Sequence, residues 1–559
     1  MPVRRIFVLF LLTAAALSAQ RLFPRGIVNA ASSMAPGLPG GAIARGSIFT
    51  VYGSNISPAN FDQARTYPLS TTFNNVTIQI TQGSNTVKAI PFAVRAGQIN
   101  AIMPSNAPLG VVSVTVTYNS FTTNPIQARI VNSTFGILTV NSAGFGPALV
   151  QNAVPSGLPP LNSLTTPAKP GQDLVLYGTG LGPISLTSGA ADTVTPPVGT
   201  LPTPVRVVVG GKSITPAYSG RLPGNAGTDQ INFHLPDDVA LGCWVPIYLV
   251  TDNSVTSNVA TIAITADGSP CAPFDTSDPL SKDFANGGNL GQLQLIRTTI
   301  REDVGTPRSL DAVTDAAVLT LQKENGGQFA YNPAFSLPPA GTCTVYTMVG
   351  DLFGGTALPG TTPTGKFLAG GSSMTISGSG GNKVVQRSSD PKAYTQLGIS
   401  ITGSILVDST MLVPGSYTVS VPGGTEVGGI SASVTMPQPL TWTNRDQLTA
   451  INRSQGFTAS WTGAPQGYQV FVTGGVSDPV NNATGVFYCV APPGATSFTV
   501  PADVLANVPA SRFPAYKTKS VVFVGMSPAQ AAANTFSTSG ITRGVALPVF
   551  QSGKSVTFQ

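Results

Sequence analysis

Few residues in this chain could do chemistry, and their spacing argues against most reactions. There is one histidine, His234. In a Ser-His-Asp arrangement it would be the general base, held among loop residues. Here it falls inside the alternating run Gln230-Ile-Asn-Phe-His-Leu235, where it reads as a surface or edge strand residue. One histidine is also too few for the common zinc sites, which need several His or Cys ligands at close spacing. Ser389-Asp-Pro-Lys392 fits a Ser-x-x-Lys pattern, but that motif needs a helical turn and Pro391 interrupts it. Gly378-Ser-Gly-Gly-Asn-Lys383 lacks the spacing of a phosphate loop and reads as a turn. Asp237-Asp238 and the loop carboxylates Asp275, Asp278 and Asp283 do not match the spaced oxygens of a dedicated calcium loop, so they read as solvated charge. Paired carboxylates acting on a glycosidic bond are the one hydrolytic chemistry left to consider. The expectation is no catalytic residue, no metal site, no cofactor and no enzyme.

The four cysteines, Cys243, Cys271, Cys343 and Cys489, carry a different message. Arg4 and Arg5 precede an apolar run over 6–17, and Ser18-Ala-Gln20 offers small residues for cleavage, as in a secretory signal over 1–19. An even cysteine count in an exported chain suggests disulfides, with three connectivities possible. Cys243 with Cys271 is favoured, because both flank the last strands of one repeat and the other repeat lacks them. That leaves Cys343 with Cys489, which would tie the C-terminal half into one unit. No basic stripe with interleaved aromatics accompanies the cations, so nucleic-acid binding is not expected. The apolar run is short for a membrane span, and none is expected once the signal is removed.

The elements that position these residues are written twice. Gly171-Gln-Asp-Leu-Val-Leu-Tyr-Gly-Thr-Gly-Leu-Gly-Pro183 repeats Gly46-Ser-Ile-Phe-Thr-Val-Tyr-Gly-Ser-Asn-Ile-Ser-Pro58. Asp229-Gln-Ile-Asn-Phe-His-Leu-Pro236 repeats Gly97-Gln-Ile-Asn-Ala-Ile-Met-Pro104, and Ser254-Val-Thr-Ser-Asn258 repeats Ser120-Phe-Thr-Thr-Asn124. The three pairs keep their order at separations of 125, 132 and 134 residues, which means tandem copies of a whole domain. The growing offset puts the extra residues in loops, chiefly 184–204 and 222–228. Ile231, Phe233 and Leu235 alternate with Gln230, Asn232 and His234, the period of a half-buried antiparallel strand.

With Gly26-Ile-Val-Asn-Ala-Ala-Ser32, these motifs resemble IPT/TIG immunoglobulin-like domains. More closely they resemble a C-terminal domain family of secreted Solibacter-type proteins. The resemblance covers residues 24–267 and implies sandwiches over 24–135 and 136–267. It carries no activity over, since a shared fold does not transmit a shared job.

The remaining chain is also rich in short alternating strands. Residues 272–438 read as a β-sandwich of unknown family, with strand candidates at 290–300, 317–321, 342–348, 415–421 and 430–436. A hairpin is expected around 378–382 and a Gly/Pro/Thr loop over 354–365. Residues 311–319 could instead form a short helix. Over 439–559, Phe457-Thr-Ala-Ser-Trp461 and Gly467-Tyr-Gln-Val-Phe-Val472 resemble the Trp and Tyr strands of a fibronectin type III domain, and 501–506 reads as a helical turn. The fold class is therefore all-β, tandem immunoglobulin-like β-sandwiches, stacked as a rod. Only 9% of residues are charged while 42% are hydrophobic, enough apolar content to make cores rather than disorder. Without the signal's two arginines the formal charge falls from +6 to +4, and the densest cationic cluster is Lys517-Thr-Lys519. The expected role is adhesion, scaffolding or ligand binding at or outside the cell surface, with a cell-surface protein or a polysaccharide as partner. A polysaccharide would use the C-terminal half, where Trp442, Trp461 and Tyr468 are candidate stacking residues, although core packing suits Trp461 and Tyr468 better.

Overall fold

The computed structural model describes residues 20–184, 191–194, 199–252, 254–271, 283, 286–303, 309–350, 366–387, 394–395, 411–511, 520–529 and 534–559. Residues 1–19, expected as a signal, residues 354–365, expected as a loop, and Ser389 to Lys392, Asp275, Asp278, Lys517 and Lys519 lie outside them.

The repeated motifs form the same strand pair twice. Ile48–Ser54 pairs antiparallel with Gln98–Ile102, placing Ile48 opposite Ile102 and Tyr52 opposite Gln98. Asp173–Thr179 pairs with Asp229–His234, placing Asp173 opposite His234 and Tyr177 opposite Gln230. The register is identical in the two copies. A slip of one residue would turn the buried Val51 and Ile99, or Leu176 and Ile231, out to solvent, and that fixes it. Gly46 and Gly171 open the two motifs at φ +69° and +72°, left-handed values that favour glycine. The Ser-x-Thr-x-Asn strand is reproduced as closely. Thr123 Oγ1 accepts the Val116 amide at 3.1 Å, and Ser257 Oγ accepts the Leu249 amide at 2.9 Å.

Each copy closes as two sheets around its own core. In the first, Phe49, Val51, Ile99 and Ala101 from one sheet meet Ile78, Ile80, Val112, Val114 and Val116 from the other. In the second, Leu174, Leu176, Ile231 and Phe233 meet Val207, Val209, Ile247 and Leu249. Each is a sandwich whose two inner faces share one core.

The C-terminal half departs from expectation. A ten-stranded sheet takes strands from both sides of the expected boundary at 438/439. Cys343–Val349 pairs with Ala483–Val490, and Gly288–Asp303 runs parallel to Ile541–Ser555. The proposed modules over 272–438 and 439–559 therefore share one backbone ladder. Two smaller sheets cover one face of it. The four-stranded sheet containing Ser373–Gly378, Gly381–Gln386, Gly415–Val421 and Ile430–Met436 packs over Leu293, Leu295, Leu319 and Leu321. The three-stranded sheet built on Phe457–Thr462 packs over Val472, Phe487, Val522 and Val524. The alternative of a helix over 311–319 is overturned: Ser309–Glu324 is one strand, paired along its whole length with Gly288–Asp303. The hairpin at 378–382 and the helical turn, Ala502–Leu505, lie where the sequence places them.

The arrangement is also not a rod. The opposite face of the ten-stranded sheet presents Leu290, Tyr346, Phe471, Val545, Leu547 and Val549 to Phe145, Leu164, Trp244 and Ala263 of the second sandwich. The first sandwich touches the C-terminal half as well, where Met34, Ala35 and Leu38 pack on Ala483. Alternation in a sequence shows that a strand has two faces and leaves open what covers the second one, so this folding-back was not legible.

Candidate functional site

His234 sits at the end of its strand, exposed, with Nδ1 2.9 Å from Oδ1 of Asp173 directly opposite. The neighbouring polar groups are committed to the strand. Gln230 Nε2 donates to Asn232 Oδ1 at 2.8 Å, and Gln98 Nε2 donates to Asn100 Oδ1 at 3.1 Å in the first copy. The side chains that the copies share thus brace a sheet face, and the partner of the imidazole is the carboxylate of Asp173. Asp238 is exposed and paired with Lys212, Asp237 has an oxygen facing Gly171, and Asp283 is paired with Arg543. Among the described residues no three His, Cys, Asp or Glu side chains cluster as metal ligands would. No helix among them is long and apolar enough to cross a membrane.

Cys243 is bonded to Cys271, and Cys343 to Cys489. The first bond anchors residue 271, just past the second sandwich, beside Leu164 and Trp244. The second joins residues that lie directly opposite each other in adjacent strands of the ten-stranded sheet.

Two of the three aromatic candidates are core residues. Trp461 is 2% exposed and Trp442 6%, both packed with Phe457 and Val472. Tyr468 is half-buried against the same core, where burial pushes its phenol up. Trp461 and Tyr468 also border a cleft of about 960 Å³ that runs between Gly242 and Trp244 of the second sandwich and the proline-rich turns at Pro339, Pro465 and Pro492. Trp461 Nε1 is buried without a hydrogen-bond partner. An indole this deeply buried offers no face for a sugar ring to stack on.

A buried polar cluster joins the two sandwiches. Arg221 and Asp229 form an ion pair with both side chains almost wholly buried. Asp229 Oδ2 accepts the amides of Gly180 and Leu181 at 2.6 and 2.8 Å, from the glycine turn of the second copy. Arg221 Nη2 donates to Gly182 O at 2.6 Å and crosses to Gly46 O of the first copy at 2.8 Å. Burial pushes the Asp229 carboxyl up, against the pull of Arg221 and the two amides. Beside it, Asp192 accepts the amide and hydroxyl of Ser105, each at 2.7 Å, and Thr179 Oγ1 accepts the Ile48 amide at 2.8 Å. The sequence held a signal for this joint: Asp229 stands where the first copy has Gly97, directly before the shared Gln-Ile-Asn.

A second cleft, about 1070 Å³, lies between the first sandwich and the C-terminal half and is walled by Arg25, Arg129 and Arg453. Nothing in the sequence brings these three arginines together, since they come from two units more than 300 residues apart.

No family model matches the chain, and no curated protein matches it. Among solved structures it is similar to two segments of the S-layer protein SbsC. Domains 5–6 match at 11% identity and TM-score 0.15, over 44% of this chain and 99% of that one. Domains 4–9 match at 10% identity and TM-score 0.12, over 95% and 81%. A multi-domain stretch of titin matches at 10% identity and TM-score 0.11, over 73% and 100%. Likenesses this faint carry no argument about function. The all-β architecture rests on the sheets themselves.

Proposed function

We propose that this is an exported, non-enzymatic multi-domain β protein that acts as a scaffold or adhesive binding array at or outside the cell surface, with its two N-terminal sandwiches of the IPT/TIG-like type. One observation carries the reading. The polar residues shared by the two copies are spent on strand register and sheet bracing, and the deepest polar cluster locks one domain to the next. A protein selected for turnover converges reactive groups on a substrate; the buried Arg221–Asp229 pair converges instead on the joint between the two sandwiches. The two disulfides favour an oxidising compartment, in keeping with the signal-like segment over 1–19. Domains held at fixed spacing present their loops and clefts to partners as a rigid set.

The test uses the purified mature chain. Binding to intact cells or to arrayed glycans, with no turnover across a broad panel of glycoside, ester and peptide substrates, supports the reading. Steady hydrolysis of any substrate that survives rigorous repurification overturns it.

A further inference from the structure

The cleft between the first sandwich and the C-terminal half has the charge and lining of a ligand site. Three guanidinium groups border it and one carboxylate, Asp478. That carboxylate is engaged by its own turn, accepting the amides of Val480 and Asn481 and the side-chain amide of Asn481. Among the described residues, none of Arg25, Arg129 and Arg453 pairs with a carboxylate. Arg25 Nη2 donates to Val480 O at 2.6 Å, and Arg453 Nη1 donates to Val508 O at 2.9 Å, so two of the three are fixed at the cleft by backbone carbonyls. Each still has a buried nitrogen with no hydrogen-bond partner, Nη1 of Arg25 and Nε of Arg453. Burial pulls the Arg453 guanidinium below its ordinary pKa. Gathering cations without counter-charges is costly in a free protein, and an anion in the cleft would offset that cost.

We propose that this cleft binds an acidic oligosaccharide through its carboxylate or sulfate groups. Arginine presents a planar fork that matches both oxyanions bidentately. The volume is at the upper end for small-molecule sites, room for more than one sugar ring. Gln127 on the same wall supplies an amide for sugar hydroxyls, and the cleft's prolines offer flat apolar surface for the ring faces. The inference rests on the reading of the chain as an extracellular binding array and gives that array a ligand class. Its failure would leave the scaffold reading intact, because adhesion to cells and lack of turnover are measured separately.

The experiment is a calorimetric titration of the mature full chain with oligogalacturonate, a sulfated oligosaccharide, a neutral oligosaccharide of equal length, and oligoglutamate. Binding of one or both acidic oligosaccharides is expected, weakening as salt rises. Which of the two binds distinguishes carboxylate from sulfate. Arg129→Gln removes an exposed cation and leaves the core untouched, so it is expected to weaken binding about tenfold with unchanged melting. Arg453→Gln is expected to weaken it at least as much, and thermal melts separate that loss from misfolding. The proposal is overturned if neither acidic oligosaccharide binds, if the neutral one binds as well, if oligoglutamate binds as tightly, or if Arg129→Gln leaves affinity unchanged.

Discussion

Replacing Arg221 by Met tests whether the two sandwiches act as one rigid body. Arg221 is 2% exposed, and its partner Asp229 is fully buried. Methionine keeps most of the aliphatic volume and removes the guanidinium. It leaves a buried carboxylate supported only by the amides of Gly180 and Leu181, and it deletes the bonds to Gly46 O and Gly182 O. Removing one partner of a buried pair costs about 3–5 kcal/mol, most of it the uncompensated charge. The loss should be local to the joint, so global melting of a multi-domain chain is a poor reporter. Hydrogen exchange read by mass spectrometry is a better one. Peptides covering 43–49 and 178–183 should exchange about 10²–10⁴-fold faster, the factor that those energies imply. Peptides from the ten-stranded sheet should be unaffected. The double variant Arg221→Met/Asp229→Leu should recover only part of the loss, because the two amides lose their acceptor. Unchanged exchange at both peptides in the single variant would refute the argument, since it would mean that the joint holds without its ion pair.

Further outcomes follow from other parts of the structure. Cys343→Ser with Cys489→Ser opens a loop of 146 residues and should cost about 4–5 kcal/mol on the chain-entropy model, read as a urea midpoint below that of the oxidised wild type. Burial pushes the phenols of Tyr331, Tyr346 and Tyr488 above their ordinary value. The folded protein therefore keeps protons that the unfolded chain releases near pH 10, so stability should fall as pH rises above about 10. Tyrosinate absorbance for these residues should then appear together with loss of structure, and ionisation in a fully folded protein would contradict the burial. Trp461→Ala should destabilise the C-terminal half by about 3–5 kcal/mol as a core cavity, seen in urea melts; a well-folded variant that has lost only glycan binding would restore Trp461 as a stacking residue.

The repeats made the N-terminal half readable because each motif carries its own register: Tyr52 and Tyr177 find Gln98 and Gln230 in both copies. Local alternation also placed the hairpin around 378–382 and the strands Gly415–Val421 and Ile430–Met436. The ten-stranded sheet was hidden for a physical reason. Its pairings join Leu293 to Ala546 and Val345 to Phe487, and no local pattern specifies partners that far apart. Residues 311–319 left a short helix open as an alternative because Ala, Val and Leu serve either structure, and tertiary pairing decided for strand. The cleft arginines were invisible for a related reason, since spacing along a chain says nothing about clefts between domains.

The strand Ile541–Ser555 lies in the interior of the ten-stranded sheet, between Ser520–Pro528 and Gly288–Asp303. Its neighbour Gly288–Asp303 leaves the ribosome some 240 residues earlier. During synthesis that earlier strand must wait with one ladder edge open, and such edges invite aggregation. Passage across a membrane in an unfolded state would spare the chain this wait, because the sheet would assemble only after its last strand had arrived on the far side.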